Sequence, residues 1–204
     1  MIDFPALAAL TIHDVKNRLN LLVQLAERKG DSETLRLAME AAATLMRLLH
    51  AYKAGTGQLQ PNLDARVPAD LVDELAAEFR AQTPLRLELE LAAAPVLAYY
   101  DEALVRMVLQ DALYNAMRHA RDTIRISVRS VAGQIEFSVA DDGPGYPPQM
   151  LGTPAMAMAA DGGGTGLGLY LAGQVARLHV NGDRRGEVCL GNDAGAVFRL
   201  RLPL

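Results

Sequence analysis

Near the start of the chain, "HDVKN" places His13, Asp14 and Asn17 together, a histidine followed at once by an acid and four residues on by an asparagine. On a helix, residues four apart lie one above the other, so His13 and Asn17 share a face with Asp14 beside them. A neutral imidazole next to a carboxylate is a good nucleophile, because the acid orients or accepts the proton of the other ring nitrogen. The amide one turn away suits a water or a phosphoryl oxygen. A second set, Asp111, Asn115 and Arg118, is spaced by four and three and again forms one helical stripe. Asp and Asn are oxygen ligands suited to Mg2+, which takes one or two side chains and completes its shell with phosphates. Arg118 can answer a phosphate. Taken one at a time, His13 reads first as an ordinary surface histidine, and the second set reads as well as a plain solvated helix face.

Two glycine-bearing stretches extend the series. "VADDGPGYP" brings Asp141 and Asp142 off a strand into a turn with Gly143 and Gly145, where backbone can approach a ligand closely. A carboxylate at such a strand end can accept a hydrogen bond from an exocyclic amine such as that of adenine. Further on, "GGGTGLGLY" supplies Gly164, Thr165, Gly166, Leu167 and Gly168 just before a helical segment. Helix N-termini attract phosphate. Neither a Walker lysine nor the strand–turn–helix of a dinucleotide fingerprint accompanies them.

These groups need elements to hold them. Residues 5–28 carry a heptad seam through Ala8, Ile12, Val15, Leu19, Leu22 and Ala26, with Asp3 as a cap and Pro5 in the first turn. "KGDSE" breaks the pattern: Gly30 suits a left-handed C-cap, and Asp31 or Ser32 the next N-cap. A second seam follows through Leu35, Ala38, Ala42, Leu45, Leu49 and Tyr52, closing at "KAGTGQLQP". A lone hairpin cannot bury two seams, and dimerisation into a four-helix bundle can. Beyond that the pattern is mixed. Helices are expected at "PADLVDELAAEFR", residues 101–120 and residues 167–178, and strands at residues 85–91, "TIRISVR", "QIEFSVA", "GEVCLG" and "AVFRLRL". With "SVAG" as a hairpin turn, this predicts an α+β sandwich, one sheet with helices on one face. The domains are expected at residues 1–56 and 57–204.

Bulk composition narrows the function. Of 204 residues half are hydrophobic and 22% charged, and the net charge of −4 argues against a nucleic-acid binder. No apolar run reaches the eighteen residues that cross a bilayer, and "MIDFPALAAL" lacks a basic signal-peptide region. The single cysteine, Cys189, cannot form an internal disulfide, which points to a reducing cytoplasm, and in "EVCL" it reads as a small core hydrophobe. His50 and His119 read as helix-surface or capping groups, and His179 as a residue near a helix end where a cation is favoured.

The order of the motifs is specific. "HDVKN", "DALYNAMRHA", "DDGPG", "GGGTGLGL" and the tail "GEVCLGNDAGAVFRLRLP" together resemble the sensor histidine kinases and their wider family of Bergerat-fold (GHKL) ATPases. The likeness runs over essentially the whole chain. It implies a phospho-acceptor hairpin followed by an ATP-binding domain. His13 then matches the phosphorylated histidine, Asp14 the proton acceptor, and Asn17 the residue that supports dephosphorylation of a partner regulator. Asn115 matches the Mg2+ ligand, Arg118 a phosphate contact and Asp141 the adenine-reading aspartate. Gly143, Gly145, Gly164, Gly166 and Gly168 match the nucleotide-loop glycines, with Thr165 and Leu167 between them. The implied cofactors are ATP and Mg2+. The implied partners are a second copy, a response-regulator receiver domain and an upstream sensor or regulatory protein.

The chain departs from the family pattern in several places. Asp111 stands where an asparagine is usual, and can still serve the metal or hold a water. Arg18 replaces a frequent proline, and no phenylalanine box is visible. From Ser130 to Ala176 there is no Lys or Arg, and the loop carries the apolar "AMAMAA" instead. A γ-phosphoryl in transfer calls for a cation. Either Mg2+ and Arg118 suffice, or Lys16 or Arg18 steps in, or transfer is slow. With twelve residues before His13, a sensor is not expected within this chain. The alternatives are a phosphotransfer adaptor with a relic nucleotide site and a nucleotide-binding regulatory scaffold.

Overall fold

The structure, a computed structural model, describes residues 4–152 and 167–204, without some side chains of the first two helices, His13 and Asp14 among them. Asp3 lies outside the described residues. The chain divides into two compact units, Met1–Leu59 and Gln60–Leu204.

The first unit is a helical hairpin, α1 (Phe4–Lys29) and α2 (Ser32–Gly55). Its turn follows the expected punctuation. Gly30 takes a φ of +65° and donates to Glu27 O at 3.1 Å. Asp31 is the N-cap of α2, its carboxylate accepting from Thr34 N–H at 3.0 Å and from Thr34 Oγ1–H at 2.7 Å. Those two bonds hold the Asp31 carboxyl below its ordinary value. Ala26 and Ala38, both on the anticipated seams, are buried between the helices. Val15 and Leu22 remain 38% and 41% exposed, and Leu21, Leu25, Leu37 and Leu48 are exposed as well. Within a single chain the apolar surface of this hairpin is therefore only partly covered.

The second unit is built from β1 (Asp64–Arg66), α3 (Pro68–Arg80), β2 (Arg86–Glu90), β3 (Ala98–Tyr100), α4 (Glu102–His119), β4 (Thr123–Val131), β5 (Gln134–Asp141), α5 (Leu167–Leu178), β6 (Val180–Asn181), β7 (Arg184–Arg185), β8 (Glu187–Asn192) and β9 (Ala196–Pro203). Five strands form one sheet in the order β2-β4-β5-β9-β8. The sequence pointed to antiparallel hairpins, and β4–β5 is one, turning through Ala132 and Gly133 with φ of 50° and 77°. Such a pair of positive φ values follows the twist of the flanking strands. The β2–β4 pair is parallel instead. The chain leaves β2, forms β3 and α4, and returns as β4, a crossover that a parallel pair requires.

Strand alternation sets the two faces. Ile124, Ile126 and Val128 of β4, Ile135, Phe137 and Val139 of β5, and Phe198, Leu200 and Leu202 of β9 are buried. They meet Leu71, Leu75 and Phe79 of α3, Val105, Val108 and Leu109 of α4 and Leu171 and Val175 of α5. Each such side chain contributes about 1.5–3 kcal/mol of burial. The expectation of helices on one face holds. The other face is polar. Glu136, 1% exposed, accepts from Arg129 Nε at 2.9 Å and from Arg201 Nε at 2.7 Å. Burial raises its carboxyl, but the two guanidinium groups outweigh that and hold it below the ordinary value. Cys189 lies on β8, half-buried rather than in the core, because its register partner is Arg199 on this polar face.

Two short ribbons, β1–β3 and β6–β7, had no sequence counterpart. Strands of two or three residues are too short to show alternation.

His179 corrects an expectation. It is not a helix-end cation but a neutral core residue, 2% exposed. Its Nε2 accepts from Asp101 N–H at 3.0 Å, and its Nδ1 lies 2.8 Å from Val175 O, to which it donates. Asp101 in turn caps α4 through Leu104 N–H at 3.0 Å and accepts from Asn62 N–H at 2.7 Å. A nitrogen that accepts carries no proton, so burial lowers the imidazole below its ordinary 6.5, against the raising effects of Val175 O and the Asp101 charge. Below pH 6.5 the unfolded chain takes up a proton that the folded one refuses. The stability from His179 is thus fully present above that pH and lost as pH falls toward the folded value. Urea denaturation should show this acid slope in the wild type and a shallower one in His179→Ala. That variant should also lose about 1–3 kcal/mol for each backbone group left unmatched at neutral pH.

Candidate functional site

α4 carries the first wall of the site. Val105, Val108 and Ala116 point into the core and Ala112 is half-buried, which leaves Asp111 and Asn115 half-buried on the adjoining stripe and Arg118 exposed near the helix end. The three lie on the element and face that their spacing required. Gly168, at the start of α5, faces this wall, and a Cβ there would lie 3.4 Å from Asp111 Oδ2. The structure therefore brings Asp111 together with Gly168, two positions far apart in the chain. Leu167 opens α5 and is half-buried. Gly164, Thr165, Gly166 and "AMAMAA" lie outside the described residues.

The turn after β5 closes one end. Asp141 is 7% exposed, and its Oδ1 accepts from Gly143 N–H at 2.8 Å and Ala196 N–H at 3.4 Å. Gly143 has to be a glycine, since a Cβ would stand 2.3 Å from the carbonyl oxygen of His119, at the end of α4. That contact seats the Asp141 turn against the helix end next to Arg118. Asp142 acts differently from Asp141. Its carboxylate accepts from the N–H groups of Arg121 at 2.8 Å and of Asp122 and Thr123 at 3.1 Å each. Desolvation raises its carboxyl, and these three donors outweigh that and lower it. Asp142 thus fastens the α4–β4 loop to the turn.

Sequence reasoning missed the contribution of the β8–β9 turn. Gly195 packs so tightly that a Cβ would come 1.8 Å from Asp141 O. Asn192 bonds the backbone of Tyr146 on both sides, accepting from its N–H at 2.8 Å and donating to its carbonyl at 3.0 Å. The glycine in "NDAGA" was the one available signal. It carried no assignment, because nothing local tells that it touches a strand end more than fifty residues earlier.

On the hairpin, His13 and Asp14 fall within α1, with side chains that are not described, and Asn17 is exposed.

Chemically, the second unit offers a buried carboxylate at a strand end, an acid–amide pair on a helix with a basic residue one turn on, and a helix N-terminus opposite. A Mg2+ ion with nucleotide phosphates fits an acid–amide pair better than a closed cage, and no cluster of three His, Cys, Asp or Glu residues that would hold a metal exists among the described residues. No helix among the described residues is long and apolar enough to cross a membrane.

Comparison with known proteins points the same way. The signal transduction histidine-protein kinase AfsQ2 of Streptomyces coelicolor is 32% identical over 191 residues, covering 89% of this chain and 33% of that protein. The sensor-type histidine kinase PrrB of Mycobacterium tuberculosis is 29% identical over 182 residues, 84% of this chain and 39% of its own length. The crystal structure of the PrrB ATP-binding domain superposes with a TM-score of 0.55 at 26% identity, over 70% of this chain and 97% of that one. Full-length ShkA, crystallised with AMPPNP, shares the fold with a TM-score of 0.75 at 20% identity, over 98% of this chain and 46% of that one. The chain spans between 33% and 39% of the length of these two curated relatives. Residues 100–204 match the family model described as histidine kinase-, DNA gyrase B- and HSP90-like ATPase, so the chain belongs to that family, with its second unit built as a histidine kinase catalytic domain.

Proposed function

We propose that the chain is the core of a two-component histidine kinase, in which ATP held by the second unit phosphorylates His13 and the phosphoryl group then passes to an aspartate of a response-regulator receiver domain. The observation that carries this reading is Asp141, a buried carboxylate fixed at a strand end by Gly143 N–H and Ala196 N–H, in a unit of the ATPase family. Asp141 reads the exocyclic amine of adenine. Asp111 and Asn115 hold Mg2+, which when bound neutralises charge on the phosphates. Arg118 contacts a phosphate oxygen, and Gly164, Thr165, Gly166, Leu167 and Gly168 offer backbone N–H groups to the phosphates. The imidazole of His13 attacks the γ-phosphorus, the bond to the β–γ bridging oxygen breaks, and ADP leaves. Asp14 takes the imidazole proton. Asn17 orients a water for dephosphorylation of the regulator. The partly covered seams of the hairpin support a homodimer joined as a four-helix bundle, and control would come from a sensor or regulatory protein.

The absence of Lys and Arg from Ser130 to Ala176 favours a second reading, a phosphotransfer adaptor with a relic nucleotide site. Calorimetric titration with MgATP separates the two. Saturable binding with a Kd between about 1 μM and 1 mM is the expected result. No heat at millimolar nucleotide would leave the adaptor.

A further inference from the structure

Beyond the aspartate itself, something has to keep its carboxylate in register, and the turn that follows β5 has no regular secondary structure to do so. The β8–β9 hairpin supplies the support at two places. Next to Asp141, Gly195 lies against its carbonyl oxygen closely enough that a Cβ would be 1.8 Å away, and Ala196 N–H reaches Asp141 Oδ1 at 3.4 Å. Farther along, the Asn192 amide spans the backbone of Tyr146, with Tyr146 N–H donating to Oδ1 at 2.8 Å and Nδ2–H donating to Tyr146 O at 3.0 Å. The amide lies flat on Gly145, whose φ is +83° and whose added Cβ would meet Asn192 Cγ at 2.9 Å.

We propose that Asn192 is a positioning residue for base recognition: its two-point clamp on Tyr146, with the Gly195 contact, holds the 141–146 turn so that the Asp141 carboxylate meets the exocyclic amine of the nucleotide base. The inference rests on the nucleotide reading of the site. The side-chain chemistry is selective. An amide both donates and accepts in one plane, as a backbone partner in a β-ladder does. Aspartate has the same shape but no donor, and would set an oxygen against Tyr146 O. Serine is too short to span both groups. Burial, and after it the charge of Asp141, pushes the Tyr146 phenol up to about 12.

The test compares two nucleotides that differ at the amine. ADP carries it, while inosine diphosphate has a carbonyl oxygen in its place. Calorimetric titrations of the full chain should show that the wild type prefers ADP. Asn192→Ala and the isosteric Asn192→Asp should each weaken ADP about five- to tenfold and leave inosine diphosphate within about twofold, so that the preference narrows. General loosening of the fold would weaken both nucleotides by one factor and leave the ratio unchanged, and a wild-type ratio in both variants overturns the proposal. A wild type that binds neither nucleotide overturns the nucleotide reading itself, and this inference with it.

Discussion

Asp141→Asn is expected to weaken ATP binding by about tenfold to a hundredfold while leaving the second unit folded. The two internal bonds of Asp141 both go to Oδ1, from Gly143 N–H and Ala196 N–H. An asparagine oxygen in that place accepts them just as well, so the turn keeps its geometry. What changes is the other position, where an NH2 group replaces a carboxylate oxygen and meets the adenine amine donor to donor. A site built to accept a hydrogen bond loses affinity steeply when that acceptor is inverted, because a buried polar pair is left unmatched. Asp141→Ala differs, since it also orphans the two backbone donors and adds about 1–3 kcal/mol of instability for each. Titration calorimetry and thermal unfolding on the same samples separate these effects. An Asp141→Asn variant that binds ATP within about twofold of the wild type contradicts the assignment of the base-reading residue.

How much of this was legible in the sequence depended on the range of the contacts. Gly30 and Asp31 could be assigned to the hairpin turn because caps act within three or four residues. The stripe of Asp111, Asn115 and Arg118 and the buried stripe beside it followed from helical periodicity, and the β4–β5 hairpin from two alternating runs joined by "SVAG". The parallel pairing of β2 with β4 did not, because a run of alternating residues carries no direction for its partner. His179 was misjudged for a related reason. Its place near a helix end suggested a cation, whereas its protonation is decided by Asp101 N–H, 78 residues away in sequence. Asp142 and Asn192 were passed over because their partners are backbone groups on other loops, which leave no trace in residue type. Asp141 itself was visible, yet only in combination: an acid before "GPG" is common, and the glycines downstream and the acid–amide helix upstream made it a candidate.

The central claim is that ATP loads His13. Of the residues next to His13 in "HDVKNR", none carries a second imidazole: Asn17 is an amide, Lys16 an amine and Arg18 a guanidine. Removing the imidazole therefore removes the acceptor rather than slowing it. The most direct measurement incubates the full chain with Mg2+ and γ-phosphate-radiolabelled ATP and follows protein-bound label, alongside His13→Ala. The account expects label on the wild type that is lost in acid and kept in alkali, as a phosphorus–nitrogen bond requires, and none above background on His13→Ala. Label that survives the His13→Ala change, or a wild type that binds MgATP yet never acquires label, would contradict it.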